Sequence, residues 1–390
     1  MRIATPIVFL MVLAGFGAAS AEAPEPAVIP LASVVAEESD VLPLAPATPH
    51  RVFVTDAWKT GGTRIIDGDT ARLVGLIDSP TMSNFLIDPL GRYFYTAETI
   101  WTRGNRGKRQ DLLTVYDQRT LALLFEIDLP GRLLVGNARQ ALAASADGNL
   151  LYVYNFDPST SVTVVDIARR KVVATPSIPG CGLVYPFAVS SFASLCAEGS
   201  VAATVIDAHR RASNSRSPPL FDSKEDPLFE QGEIDRSTGD GYFISYSGLL
   251  YQSALAATPP LATPWSVQEA AGLARAHMIP GEVDWRPGGI QPLAYHRASG
   301  RLFVLMHVGE VYTHDAAGTE VWVVDVRAQK VTSRHKLKAP AACIVVSQDS
   351  EPLLFLNGGD ALTVLNPATG QELRRIEHVG DGILTVAELR

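Results

Sequence analysis

The sequence predicts an all-β protein, a seven-bladed β-propeller of four-stranded antiparallel blades. Three observations carry that expectation. Short runs of Val, Ile, Leu, Phe and Tyr, bounded by Gly, Pro, Asp and Asn, recur along most of the 390 residues. An acidic or amide residue ends one run per repeat: Asp67, Asp117, Asp166 and Asp207 are spaced by 50, 49 and 41, and Asp325 and Asn366 by 41. A period of 40–50 residues with about four strands is that of a propeller blade. Third, Arg51-Val52-Phe53-Val54-Thr55 near the start and Ile383-Leu384-Thr385-Val386 at the end can pair within one blade and close the ring.

The copies can be followed in order. Phe85–Tyr95 leads to Leu112–Asp117, Ala143–Tyr154 to Val162–Asp166, Leu293–Val304 to Asp325, and Val345–Leu356 to Leu362–Asn366. The 118 residues between Asp207 and Asp325 have room for two copies, one enlarged, and Tyr242–Tyr251 supplies the missing strands. That makes seven units, assigned to residues 51–390. Two stacked β-sandwiches are the alternative, which the regular period disfavours. Residues 259–285 read as an insertion, with helix formers at 267–276 behind Ser266 as cap.

Ahead of the repeats, residues 1–21 read as a signal peptide. Arg2 supplies the positive end, Pro6–Gly17 the apolar stretch, and Ala19-Ser20-Ala21 the cleavage site after Ala21. Residues 22–50, rich in Ala, Pro, Glu and Val, read as a flexible or loosely docked arm. No later apolar run is long enough to span a membrane. The formal charge is −8, or −9 once residues 1–21 and their single charge, Arg2, are removed; no basic face for nucleic acid is indicated.

Candidate chemistry is sparse. Cys181 and Cys196 are 15 apart beside small-residue turns, and in an oxidising compartment a disulfide between them is the economical reading; Cys343 reads as a buried thiol. No Cys-x-x-Cys-His haem site or Cys-x-x-Cys pair occurs. His307, His314 and Met306 could offer copper or haem ligands, but strand spacing does not aim the two histidines together, so no metal site is expected. No Gly-x-Ser-x-Gly turn occurs, and Gly288-Gly289 and Gly358-Gly359 lack phosphate-binding spacing. The basic run Arg103–Arg109 reads as a solvated hairpin loop, or one facing an acidic partner. Trp285 beside Arg286 offers an interface anchor or a tryptophan buried inside the insertion.

Residues 284–325, from Asp284-Trp285-Arg286-Pro287-Gly288-Gly289 through His296–His307 to Glu320–Asp325, resemble the large subunit of tryptophylquinone amine dehydrogenases, most closely aromatic amine dehydrogenase and somewhat less methylamine dehydrogenase. Thr102–Asp111, Ser215-Arg216-Ser217, Phe221–Phe229 and the Cys181/Cys196 pair extend the resemblance over most of the chain from about residue 50. It implies a periplasmic heterotetramer. The small (light) subunit carries tryptophan tryptophylquinone, oxidises a primary, aromatic amine to aldehyde and ammonia, and passes electrons to a blue-copper protein such as azurin or amicyanin. No catalytic residue is then expected on this chain. The resemblance places Thr81 and Met82 in the substrate channel, where the family has an aromatic, so the gate is altered. Trp285, Arg286 and His307 are expected at the small-subunit interface. A stand-alone exported propeller that binds a ligand or partner without redox chemistry is the second expectation.

Overall fold

The computed structural model describes residues 42–56, 61–104, 106–132, 138–235, 238–256 and 263–387. The signal peptide and the arm up to residue 41 lie outside the described residues. Seven antiparallel sheets follow one another along the chain. From inner to outer strand, blade 1 is Ile383–Val386, Arg51–Thr55, Thr63–Asp67 and Arg72–Ile77; blade 2 is Asn84–Ile87, Tyr93–Trp101, Arg109–Asp117 and Leu123–Asp128. Blade 3 is Leu142–Ala144, Leu150–Asn155, Ser161–Asp166 and Lys171–Ala174; blade 4 is Cys181–Phe187, Ser191–Cys196, Val201–Ile206 and Ala212–Arg216. Blade 5 is Glu233–Asp235, Asp240–Ile244, Leu249–Ala254 and Trp265–Ser266. Blade 6 has Arg301–Gly309, Gly318–Asp325 and Lys330–Ala341 outside a divided inner strand, and blade 7 is Cys343–Val346, Leu354–Gly358, Ala361–Leu365 and Glu372–Glu377.

Burial explains the sequence pattern. Middle strands are sandwiched between neighbouring blades, so Leu150–Asn155 and Ser161–Asp166 are buried at every position. Outer strands cover one face only, and Lys330–Ala341 alternates exposed and half-buried residues along most of its length. The ring closes as expected, with Val52 opposite Val386 and Thr55 opposite Ile383. Gln291 of blade 6 braces that closure, its amide exchanging hydrogen bonds with the backbone of Leu384 at 2.9 and 3.1 Å.

The periodic acidic residues turn the third strand of a blade into the fourth. Asp117 Oδ1 accepts from the Arg119 and Thr120 amides (2.9 and 2.8 Å), Asp207 Oδ1 from His209 and Arg211 (both 2.8 Å), and Asp325 Oδ1 from Arg327 and Ala328 (3.1 and 3.0 Å). Asn366 Oδ1 makes the same bonds to Ala368 and Thr369 at 2.9 and 3.1 Å. A carboxylate and an amide oxygen serve equally in such a turn.

Three local details differ from, or add to, the sequence reading. The helix behind Ser266 spans only Val267–Ala270: Ser266 caps it through Glu269, and Gly272, at φ +73°, ends it. Blade 6 has its inner strand divided into Asp284–Pro287 and Leu293–His296, both paired with Arg301–Gly309, because Pro287-Gly288-Gly289 interrupts the extended run. Of the arm, residues 42–50 are described: Leu44 is buried and its amide donates to Arg119 O at 2.6 Å, and Arg51 binds the carbonyls of Ala45 and Pro46.

Candidate functional site

Strand alternation sends two sets of connections to the same face of the ring: the turns between second and third strands, and the crossings from each outer strand to the next inner one. The opposite face carries the short turns closed by Asp117, Asp207, Asp325 and Asn366. The long segments 217–232, 267–283 and 310–317 all belong to the first face, where a rigid scaffold presents its variable loops. Thr81, Met82, Trp285, Arg286, His307 and the cysteines all lie at this end of their blades.

Thr81 is exposed and Met82 half-buried in the crossing 78–83 from blade 1 to blade 2. Met82 holds φ +68°, a left-handed conformation costly for a side chain with a Cβ. Arg132 holds this loop. Its guanidinium donates to Met82 O (2.9 Å), Asn84 Oδ1 (2.5 Å) and Thr99 Oγ1 (3.3 Å), and it is only 1% exposed. Ser79 and Ser83 hydroxyls bond to each other at 2.7 Å. Burial drags the Arg132 guanidinium down to about 10, against the opposing charges of Asp111 and Glu98. Burial likewise raises the Glu98 carboxyl, which accepts from Thr114. In the basic run next door, Arg109 pairs with Asp111 (2.8 Å) and Asp157 (2.9 Å), while Arg103, Arg106 and Lys108 are exposed.

The structure joins Arg286 and His307 as opposed residues on paired strands, and buries both. Arg286, 2% exposed, donates to Gly309 O at 3.2 Å, to His277 O and to Asp284 Oδ2 at 3.4 Å, pinning the insertion onto blade 6; burial lowers its pKa. His307 Nε2 lies 2.8 Å from Thr313 Oγ1, and burial lowers its pKa too, with the Arg286 charge adding to the effect. Gly288 lies so close that a Cβ there would stand 2.4 Å from His307 Nδ1. Trp285 is half-buried against Trp322 (ring centroids 5.5 Å), and Arg334 sits over both rings at 4.6 Å. His314 stacks on Tyr246, with ring centroids 4.0 Å apart. His277, Glu282 and Asp284 bring ligand-type atoms within 4.8 Å of one another, but His277 Nδ1 already contacts Glu282 at 3.0 Å and Asp284 faces Arg286.

Around the buried clamp, exposed apolar side chains are interspersed with exposed polar and charged ones such as His277, Glu282 and Asp315. Ile279, Val283, Ile290, Val308 and Tyr312 (58%) are exposed on the insertion and the ends of blade 6, and Phe156 (57%) on blade 3. A second exposed apolar group, Leu73, Leu76, Leu123 and Leu124, lies on the outer strands of blades 1 and 2.

Cys181 and Cys196 are opposed on adjacent strands and disulfide-bonded. Their bond rims a hollow of about 350 Å³ lined by Tyr154, Leu183, Tyr185, Phe221, Leu228 and Glu230. Among the described residues, the Glu230 carboxylate has no hydrogen-bond or ion-pair partner; only its backbone carbonyl is engaged, by Tyr185 OH at 2.7 Å. Glu230 is an exposed residue at the edge of the hollow, and the partial desolvation of its carboxyl raises its pKa. Sequence reasoning passed over Glu230 and Arg132, whose surroundings come from distant positions in the chain.

The family model for methylamine dehydrogenase heavy chains (MADH) matches residues 48–388. The chain is 31% identical over 376 residues to the methylamine dehydrogenase heavy chain of Methylorubrum extorquens, covering 94% of this chain and 88% of that one. Its counterpart in Paracoccus versutus is 30% identical, covering 89% and 81%. Among solved structures, dihydro-heme d1 dehydrogenase NirN superposes with a TM-score of 0.57 at 16% identity (88% of this chain, 77% of that one). The Cps50 (Swd1) propeller of Myceliophteria thermophila does so at 0.53 and 10% identity (82% and 92%). These two likenesses concern the fold alone.

Proposed function

Since the chain belongs to the methylamine dehydrogenase heavy chain family, we propose that it is the non-catalytic platform of a periplasmic amine dehydrogenase whose tryptophan tryptophylquinone resides on a light chain docked over the loop-bearing face. The apolar cluster of Ile279, Val283, Ile290, Val308 and Tyr312 on that face is the observation that supports the docking site. When bound, the light-chain quinone supplies a two-electron oxidation: a primary ammonium and water give aldehyde, ammonium ion, two electrons and two protons. The electrons leave to a blue-copper protein such as azurin or amicyanin. This chain's residues exclude water, shape the entrance and hold the partner. Trp285 meets the light chain at its half-exposed edge, while Arg286 and His307, buried beneath, keep the insertion in place.

The entrance runs past Thr81 and Met82. An exposed threonine and a flexible thioether leave more room than a rigid aromatic gate, which supports aromatic amines as the preferred substrates over methylamine. Methylamine, carried in the relatives' names, is the competing substrate. The test is an amine panel on the complex. Met82→Phe should lower kcat/KM for benzylamine about tenfold relative to methylamine, the discrimination available from pocket size. An unchanged ratio removes residues 81–82 from the channel, and methylamine as the best wild-type substrate removes the aromatic preference.

A further inference from the structure

The hollow beside the disulfide is a second feature of the loop-bearing face, separate from the 78–83 loop. Its walls come from two blades and one crossing: Tyr154 from blade 3, Leu183 and Tyr185 from blade 4, and Phe221, Leu228 and Glu230 from the 217–232 segment. Tyr246 of blade 5 stands close enough to feel the Glu230 charge, and is itself backed by Phe229 (4.9 Å) and His314 (4.0 Å). The wall is therefore aromatic and apolar, with one carboxylate. Glu230 is exposed to solvent at the edge of the hollow, where its carboxylate is placed to meet a cation or donor. Here, among the described residues, none is supplied. Burial, then the nearby Glu230 charge, raises the phenols of Tyr154, Tyr185 and Tyr246, the last to about 12, so all three rings remain neutral and electron-rich. Neutral aromatic faces around a lone carboxylate complement an organic cation, with cation–π attraction adding to the ion pair.

We infer that this hollow binds a primary ammonium compound carrying an apolar or aryl group, its ammonium on the Glu230 carboxylate and its hydrocarbon portion against Tyr154, Leu183 and Leu228. The hollow's volume of about 350 Å³ accommodates a molecule of benzylammonium size. The inference takes its ligand class partly from the amine reading above, deepening it: a collecting site for substrate on the same face as the proposed entrance.

Isothermal titration of the full chain with benzylammonium chloride, against benzyl alcohol as the neutral isostere, tests it directly. Benzylammonium is expected to bind, benzyl alcohol at least about tenfold more weakly, and Glu230→Gln to weaken the ammonium by about tenfold, the scale of a cation–carboxylate contact with cation–π support. Tyr154→Leu, which leaves the carboxylate intact, should weaken it several-fold, so the test does not rest on the folding of one variant. Equal binding of alcohol and ammonium, no binding at tens of millimolar (on the order of the weakest useful affinity), or indifference to both substitutions overturns the inference. Because binding is read without turnover, its absence in a chain whose complex oxidises amines discards the hollow alone. Binding by a chain whose complex oxidises no amine discards the proposed function instead.

Discussion

Arg132 shows how a single buried cation can set a loop. Its three acceptors sit on residues 82, 84 and 99, and its charge lies between Asp111 and Glu98 with almost no access to water. Removing one member of a buried charged network strands the others. Arg132→Met is therefore expected to destabilise the chain by about 3 kcal/mol and to release the left-handed Met82. Chemical denaturation of the purified variant checks the first part. An altered amine selectivity with unchanged light-chain affinity checks the second, whereas a loss of about 0.5 kcal/mol or less, as for an ordinary surface position, would show that the clamp is not needed. None of this could be read from the sequence. Arg132 stands in an unremarkable Gly131-Arg132-Leu133 stretch, and the partners that bury it are about 30 to 50 positions upstream. Trp285 and Arg286 were legible as a notable pair, but which of them faces outward was not. Their burial depends on Trp322, Arg334 and the returning 277–284 loop.

At the scale of elements, the recurring turn carboxylates make a prediction about acid. Backbone amides hold the Asp117, Asp207 and Asp325 carboxyls below the usual carboxylate range: Thr120 chiefly for Asp117, Arg211 for Asp207 and Ala328 for Asp325. A folded pKa below the unfolded one means that the unfolded chain binds protons more readily. The stabilisation is thus complete at neutral pH and is lost as pH falls below about 4 through the lowered values. Asn366, in the same kind of turn, contributes nothing to this dependence. Asp117→Asn with Asp325→Asn should keep the turns and flatten the fall in melting temperature between about pH 4 and pH 2; a parallel fall in variant and parent would contradict it. These turns were legible because they are local: the residue, its acceptor role and its spacing all lie within four positions. The divided inner strand of blade 6 and the short helix before Gly272 were less so. The first depends on Gly288 and Gly289, hemmed in by His307, Ala316 and Ala342 from distant positions, and the second on the left-handed conformation that Gly272 takes in open space.

For the whole molecule, the ring is built from repeats that cannot bury both faces alone, and the first and last of its described strands pair in one sheet. That arrangement was readable from periodicity because every blade repeats the same apolar pattern. The exposed apolar side chains of the loop-bearing face were not, since exposure of Ile279, Val283, Val308 and Tyr312 follows from loop paths that have no period. A rigid ring with apolar side chains exposed on its loop-bearing face is suited to sheltering a reactive group carried by another chain. The decisive measurement is amine-dependent dye reduction, with the visible absorption spectrum, by the full chain alone and by the chain co-expressed with its light chain. The account predicts no turnover and no quinone absorption from the chain alone, and both from the complex. Turnover by the solitary chain, or a colourless and inactive complex, would contradict it.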